Sequence, residues 1–175
     1  MQVVVLRYGH RDVRDYRVTS HCALVARALG ADKIIIDGNR DESILGSVND
    51  VALRWGGNFK IEFVDSWRKI AKEHKKKGFF VVHLTMYGLP LGKTAAKIRK
   101  HKKIMIIIGS QKVEKDVYDA ADLNVAIGSQ PHSEIAALAV TLHEIFKGKE
   151  LEKGFKKAKI KVIPNAWGKT VKRSE

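Results

Sequence analysis

One stretch near the middle of the chain, IMIIIGSQKVEKDVYDAADLNVAIGSQPHSEIAALAV, constrains the fold more than any other. It predicts a buried strand at 104–108, a short helix, a second strand at 123–127 and an apolar helix from Pro131 onward. Both strands end in a glycine-serine turn, at Gly109-Ser110 and Gly128-Ser129. Because α/β proteins build small-molecule pockets from such strand-end turns, the stretch predicts a ligand site.

The rest of the chain continues the alternation of strands and helices. Further strands are predicted at 3–6, 33–36, 60–64 and 79–84. Helices are predicted around 20–29, 41–54, 66–76, 92–101 and 132–146, with Thr19 or Ser20 as the N-cap of the first. Because the strand runs lack apolar/polar alternation and helices separate them, we expect an α/β fold with a mostly parallel sheet and helices on both faces.

Length and composition indicate one domain with a basic tail. The chain has 175 residues, of which 45% are hydrophobic, enough for one ordinary core, which we assign to residues 1–150. Residues 151–175 are lysine-rich and form what we call the C-terminal extension, not a separate domain. Within it, 160–163 and 170–171 predict a hairpin around 164–168. The extension is either a solvated, frayed terminus or an element that contacts RNA.

The charge indicates a polyanionic partner. A formal net charge of +14 and a pI near 9.9 favour nucleic acid through electrostatic steering and counterion release. An anionic membrane surface is the alternative, but no apolar run reaches membrane-spanning length and no signal peptide precedes the first strand, so we expect a soluble intracellular protein. Cys22 is the single cysteine and the seven histidines follow no ligand spacing, so neither a disulfide nor a metal site is predicted.

Arginines are concentrated in the segment RYGHRDVRDYR. Each guanidinium group can donate two parallel hydrogen bonds to the oxygens of one phosphate, so the segment predicts contacts to a nucleic acid backbone. The alternative is a lattice of arginine-aspartate ion pairs that solvates or stiffens a loop. The candidate RNA-binding residues are Arg7, Arg11, Arg14, Arg17 and, on the helix that follows, His21.

The segments HCALVARALGA, GSQKV and NVAIGSQPHSEIAALAV resemble, in this order, the three motifs of the SPOUT superfamily of RNA methyltransferases. LRYGHRDVRDYRVTSHCALVARALGA, VVHLTMYG and QPHSEIAALA are similar to the archaeal tRNA (cytidine-56) 2'-O-methyltransferases of that superfamily, and the similarity reaches Phe146. The resemblance implies a cytoplasmic homodimer that transfers a methyl group from S-adenosyl-L-methionine to the ribose 2'-hydroxyl of cytidine 56 in the T loop of tRNA. It also implies a deep C-terminal trefoil knot around the cofactor.

The resemblance further implies that main-chain groups of the strand-end loops hold the cofactor. The predicted cofactor-binding residues are Leu84, Gly109, Ser110, Gln111, Lys112, Val113, Ile127, Gly128, Ser129, Gln130, Pro131, His132, Ser133 and Glu134. The two glycines suit a tight turn and the close approach of a ligand, although many α/β turns need glycine for structural reasons alone. The histidine is interpreted either as facing the cofactor or target nucleotide, or as a cap at the helix start.

Arg27 is the catalytic candidate, because it aligns with the arginine that follows an asparagine by six residues in the first motif. His21 stands at the asparagine's place, so the role of that polar partner is not carried over. Arg27 would clamp the phosphate beside the target ribose and orient its hydroxyl, without acting as a general base, because guanidinium stays protonated in proteins. The alternative is a helix-end arginine near the negative end of the helix dipole.

Two other classes of protein fit part of the sequence. A nicotinamide-dependent Rossmann enzyme would carry G-x-G-x-x-G after an early strand, and this motif is absent. A non-catalytic RNA-binding or ribosome-associated protein would explain the charge equally well, but in such a protein no ligand would occupy the pocket formed by the paired glycine turns. Methyl transfer is an in-line displacement that requires alignment of the reacting atoms and no metal.

Overall fold

The computed structural model describes residues 1–109 and 113–174, with the backbone alone at 12 and 13. Ser110, Gln111 and Lys112, three of the predicted cofactor-binding residues, lie outside the described residues. The strands are β1 (Gln2–His10), β2 (Lys33–Gly38), β3 (Lys60–Val64), β4 (Phe80–Pro90), β5 (Lys103–Gly109), β6 (Leu123–Ala126), β7 (Ile160–Ile163) and β8 (Thr170–Arg173). The helices are α1 (Asp12–Ala28), α2 (Glu42–Trp55), α3 (Trp67–Lys76), α4 (Leu91–Ile98), α5 (Lys115–Ala120), α6 (Glu134–Phe146) and a 3-10 turn (Lys149–Glu152).

Six strands form one parallel sheet in the order β3-β2-β1-β5-β4-β6. The chain moves from β4 to its neighbour β5 and then crosses to β6 on the other side of β4. The helices that follow these two strands, α5 and α6, pack on opposite faces of the sheet. Such reversals in strand order are where open α/β sheets form ligand crevices.

Helices cover both faces of the sheet. Along β1, Val3 and Val5 pack with the apolar sides of α1, α2, α4 and α6, while Val4 and Leu6 pack with α3 and α5. Burial on both faces explains why the strand runs are continuously apolar. The predicted α/β class, with its mostly parallel sheet, is confirmed. Among the described residues no helix is long and apolar enough to cross a membrane.

The first helix begins eight residues earlier than the sequence predicts, so the assignment of Thr19 or Ser20 as its N-cap is wrong. The Thr19 hydroxyl lies 2.8 Å from Nδ1 of His10, and the Ser20 hydroxyl donates to the carbonyl of Tyr16 inside the helix. An ion pair of 3.1 Å between Arg11 and Asp15, one helical turn apart, stabilises the first turn. The arginine-rich segment is thus the end of β1 and the start of α1.

Strand β4 continues well beyond the predicted limit at 84. Its pairing with β6 shifts register between Leu84 and Leu89, so residues 85–88 bulge out at the carboxyl edge of the sheet. Gly88 closes the bulge against the backbone of β6, where a Cβ would lie only 2.4 Å from the nitrogen of Val125. The bulge gives the carboxyl edge a wall that a regular strand would not supply.

Candidate functional site

A cavity of about 690 Å³ lies at the carboxyl edge of the sheet, beyond the ends of β4, β5 and β6. Its size is typical of a site for a small organic ligand. Its lining is mostly apolar, with a few polar groups. The lining residues are Leu84, Thr85, Met86, Tyr87, Ile108, Gly109, Val113, Tyr118, Ile127, Pro131, His132, Glu134 and Ala137.

The cavity brings together half of the predicted cofactor-binding residues. Those that line it are Leu84, Gly109, Val113, Ile127, Pro131, His132 and Glu134. Four others follow β6 or precede α6 on exposed backbone and do not line it, namely Gly128, Ser129, Gln130 and Ser133. The three predicted residues at 110–112 lie outside the described residues.

The turn before α6 differs in detail from its prediction. Ser133 is the N-cap, because its side chain accepts a hydrogen bond of 3.2 Å from the Ala136 N–H, so the capping role suggested for His132 is wrong. Pro131 lies before the helix rather than in its first turn. Gly128 has a φ of +74°, and apart from its chain neighbours no atom of the described residues lies within 4 Å of where a Cβ would stand. Glycine is therefore needed at this position for the backbone conformation of the turn, and not for close packing against another described residue.

Glu134, in the first turn of α6, is the charged group of the cavity. Its Oε1 accepts hydrogen bonds from Nε and Nη2 of Arg7, at 3.2 and 2.8 Å, and the two side chains are 1% (Arg7) and 14% (Glu134) exposed. Burial raises the pKa of Glu134, and the positive charge of Arg7 opposes this shift. The prediction that Arg7 binds RNA is corrected, because the side chain is enclosed and engaged with the carboxylate.

The bulge of β4 is part of the site, although the sequence pattern does not predict it. Thr85, Met86 and Tyr87 line the cavity, and the Thr85 hydroxyl lies 3.0 Å from the hydroxyl of Tyr118, another lining residue. Behind them, the fully buried His83 has its Nδ1 2.9 Å from Oδ1 of Asn124. Burial lowers the pKa of His83. The available signal was the polar and aromatic TMYG that follows an apolar strand.

Three of the predicted RNA-binding residues share one side of α1. Arg14, Arg17 and His21 are exposed, and their spacing of three and four residues aligns them along the helix. Arg11 is exposed as well, but its side chain is paired with Asp15. Because α1 follows the carboxyl end of β1, Arg14 lies at the same edge of the sheet as the cavity, and the basic stripe runs away from it.

The structure does not bring Arg27 to the cavity, and its assignment as the catalytic residue is corrected for this chain. A helix rises about 1.5 Å per residue, so Arg27 lies about 22 Å along the axis from the start of α1, towards the opposite edge of the sheet. Its side chain is buried, donates from Nη2 to the carbonyl of Gly56 at 2.6 Å and lies over the ring of Phe155. A guanidinium held in this way is not available to a substrate.

A second cavity, of about 570 Å³, lies between α3 and α5. Its lining includes Trp67, three lysines of α3 and two aspartates of α5, and none of the predicted cofactor-binding residues. It also lies away from the strand ends that carry the glycine turns. Within the part of the chain that the structure describes, no group of three or more histidine, cysteine or acidic side chains could hold a metal ion.

Solved structures with the same arrangement define the class of the fold. The tRNA-modifying enzyme TrmH/SpoU of A. aeolicus superimposes with a TM-score of 0.62 at 15% identity, over 86% of this chain and 77% of that one. The SpoU methyltransferase AviRb of Streptomyces viridochromogenes, solved in complex with the cofactor AdoMet, gives 0.63 at 14% identity, over 85% of this chain and 58% of that one. The chain therefore has the fold of the SpoU and TrmH methyltransferases.

Sequence comparison gives the particular family. The sequence model described as "tRNA ribose 2'-O-methyltransferase, aTrm56" matches residues 55–172. The chain is 48% identical to the tRNA (cytidine(56)-2'-O)-methyltransferase of Methanopyrus kandleri over 98% of this chain and 97% of that protein. It is 50% identical to the enzyme of the same name from Thermococcus kodakarensis over 99% and 98%. The chain belongs to the aTrm56 family of tRNA ribose 2'-O-methyltransferases.

Proposed function

We propose that this protein transfers a methyl group from S-adenosylmethionine to the ribose 2'-hydroxyl of cytidine 56 in the T loop of tRNA. The observation that carries the proposal is the extent of the similarity. Relatives named for this reaction match the chain at about half of all positions and over nearly its full length, so every segment that lines the cavity lies within the matched region. The positive net charge of +14 suits a polyanionic substrate.

The residues around the cavity fit S-adenosylmethionine. The volume of about 690 Å³ lies in the range of sites for small organic cofactors. Apolar side chains such as Leu84, Ile108 and Ile127 suit an adenine ring, and the carboxylate of Glu134 is the charged group among the lining residues. Because Arg7 already compensates the charge of this carboxylate, Glu134 offers the ligand a positioned hydrogen-bond acceptor.

When bound, S-adenosylmethionine supplies an electrophilic methyl group on a positively charged sulfur. The protein's contribution is alignment and the exclusion of water, which can lower the barrier by several kcal/mol. Arg7 fixes the orientation of Glu134, and Tyr118 fixes the Thr85 hydroxyl on the opposite wall. These interactions hold the polar groups of the cavity in place before any ligand arrives.

We assign the backbone contacts with tRNA beside the cavity to the exposed arginines of α1, and not to Arg7 or Arg27. Arg14 and Arg17 are solvent-exposed, and Arg14 lies at the carboxyl edge of the sheet. Guanidinium forks in this position can bind phosphates and set the register of the RNA, although they convey little sequence information. Selection of cytidine 56 then falls to groups inside the cavity and to the shape of the tRNA.

The test uses an unmodified tRNA transcript and S-adenosylmethionine with a labelled methyl group. We expect one label per tRNA, located on the ribose of nucleotide 56 after nuclease digestion. The matched control is the same tRNA with 2'-deoxycytidine at position 56, which should take no label. A label on a base, or at another nucleotide, would contradict the assigned substrate. Binding of tRNA without any label would favour a non-catalytic RNA-binding protein.

We also propose that the protein acts as a homodimer in the cytoplasm, as the family resemblance implies. Light scattering at micromolar concentration tests the oligomeric state, and we expect twice the chain mass of 19.6 kDa. A single-chain mass under conditions that support turnover would contradict the proposal.

A further inference from the structure

The C-terminal extension is docked firmly on the end of α2. The Gly57 N–H donates to the carbonyl of Lys156 at 2.9 Å, and the Lys159 N–H donates to the carbonyl of Arg54 at 3.0 Å. Gly56, at a φ of +77°, lets the two backbones meet, because a Cβ there would lie 2.5 Å from the Lys156 carbonyl oxygen. The hairpin of β7 and β8 therefore has a fixed position on the protein.

Arg27, near the end of α1, also holds the extension in this position. Its guanidinium holds the Gly56 carbonyl at 2.6 Å and lies 4.6 Å from the ring centroid of Phe155, at the start of the extension. A desolvated contact between a cation and an aromatic ring is worth roughly 1–2 kcal/mol. Arg27 is thus a positioning residue for the extension, which accounts for its burial far from the cavity.

The docked hairpin is uniformly basic. Residues 160–173, which form the two strands and their loop, contain three lysines and one arginine, and no acidic residue. In the antiparallel pair, Lys161 stands directly opposite Lys172 on the same face of the hairpin. Like charges in this arrangement repel each other at a distance of about 5 Å between their Cβ atoms. An anion bound along this face would relieve the repulsion.

An exposed tryptophan stands in the loop of the same hairpin. Trp167 is 96% exposed, although indole is among the side chains most favourably removed from water. Its loop is ordered, because the Trp167 N–H donates to Oδ1 of Asn165 at 2.9 Å, and Nδ2 of Asn165 donates to Thr170 at 3.1 Å. Side-chain hydrogen bonds of this kind fix the turn and hold the indole at the tip of the hairpin.

We propose that the hairpin is a second tRNA-binding surface, on which Trp167 stacks against an unpaired nucleobase while the surrounding lysines contact the phosphates. Proteins bind unpaired nucleotides with aromatic side chains that stack on the bases and with nearby cationic side chains that contact the phosphates. A second copy of this chain is a poorer occupant, because its hairpin would bring four further cations to the same surface. The inference rests on the proposed function for the identity of the RNA.

The test compares four forms of the full-length protein: the wild type, Trp167→Ala, Trp167→Phe and the double variant Lys161→Ala/Lys172→Ala. We expect Trp167→Ala to weaken tRNA binding roughly 5- to 150-fold, the range for removal of one stacked base, and Trp167→Phe to restore part of it. The KM for tRNA should rise, while kcat at saturating tRNA and the affinity for S-adenosylmethionine stay within about twofold.

Two further readouts separate stacking from charge. Binding of tRNA should quench tryptophan fluorescence in the wild type and in the double lysine variant. Trp167→Phe keeps Trp55 and Trp67 but should lose the part of the quenching that comes from the stacked indole. The lysine variant should instead reduce the salt dependence of binding by the equivalent of about one to two phosphates.

Three results would overturn the inference. The first is unchanged tRNA affinity in Trp167→Ala, and the second is quenching in Trp167→Phe that is as large as in the wild type. The third is a fall in oligomer mass of Trp167→Ala without tRNA, which would place the indole between two copies of the chain. Failure of the proposed function would show separately, as an absence of methyl transfer by the wild type.

Discussion

Within the cavity, the pair of Arg7 and Glu134 decides the electrostatic character of the site. The arginine comes from a central strand and the glutamate from the first turn of α6, where the helix dipole also favours a negative charge. Because both groups are largely removed from water, each depends on the other to compensate its burial. The pair therefore links the stability of the fold to the charge presented to a ligand.

Replacing Arg7 with methionine should destabilise the protein by about 3 kcal/mol, because it leaves the Glu134 carboxylate without its partner. The double variant Arg7→Met/Glu134→Gln removes both charges and should regain part of that stability. Urea denaturation of the wild type and of both variants measures the differences. Equal stability of Arg7→Met and the wild type would show that the pair has no structural role.

His83 gives the stability of the protein a dependence on pH. Burial lowers its pKa, so the folded state holds it neutral while the unfolded chain takes up a proton near pH 6.5. The stabilising contribution is present above about pH 6.5 and is lost as the pH falls from there through the lowered pKa of the folded state. His74, whose pKa burial also lowers, contributes in the same direction.

We expect the free energy of unfolding to fall between pH 7 and pH 5, and to fall less steeply in His83→Gln. One proton accounts for at most about 1.4 kcal/mol per pH unit, which sets the size of the change in slope. Urea titrations at pH 5, 6 and 7 measure the slope for both proteins. An identical slope in the variant would assign the acid sensitivity to other groups.

Among the elements, α1 joins the cavity to the RNA-facing surface. Its inner side packs in the core through Cys22, Ala23 and Ala26, and its outer side carries the basic stripe. Burial raises the pKa of the Cys22 thiol to about 12, so it remains protonated and serves as a small apolar side chain. The helix can thus present arginines to solvent from a rigid base.

Replacing Arg14 and Arg17 with alanine should weaken tRNA binding and lower the slope of log affinity against log salt by about one for each phosphate that the protein no longer neutralises. Affinity for S-adenosylmethionine should stay unchanged, because neither side chain lines the cavity. Lys100→Ala, an exposed cation beyond the end of α4, is the matched control. Filter binding at several salt concentrations measures the slope, and equal slopes in all three proteins would exclude a role for the stripe.

The elements that the sequence predicts well are those whose signal is local. Continuous apolar runs rich in β-branched residues identify parallel strands such as β2, which contains three consecutive isoleucines, and the hairpin is predicted because apolar residues flank a loop with proline and glycine. The start of α1 is missed because its first turn contains no apolar periodicity and depends on the pair of Arg11 and Asp15. The bulge of β4 is missed because it arises from packing against β6, which no local pattern encodes.

At the scale of the whole molecule, the core and the C-terminal extension meet at Arg27. The family motif predicts a catalytic role for this residue, but the partners of its side chain, Gly56 and Phe155, lie far away along the chain. Sequence spacing alone could not reveal that interaction, and this is why the predicted catalytic role and the observed position differ. The trefoil knot implied by the resemblance stays a prediction.

Replacing Arg27 with alanine should loosen the extension and destabilise the protein by about 2 kcal/mol, since it removes both a hydrogen bond and the packing of a cation on an aromatic ring. Proteolysis within 151–175 should become faster, and the KM for tRNA should rise, while kcat changes little. Arg27→Lys, which keeps the charge but lacks the planar stacking group, should be intermediate. A fall in kcat with normal affinity for both substrates would contradict this account and indicate that Arg27 takes part in methyl transfer.

The central claim is that the cavity at the carboxyl edge of the sheet holds the methyl donor. A crystal structure of the complex with S-adenosylmethionine tests it most directly, because a second cavity of similar size lies among the described residues. We predict that the ligand lies between the bulge of β4 and the turn that leads to Glu134. A ligand in the cavity between α3 and α5, with the first cavity left empty, would contradict the account.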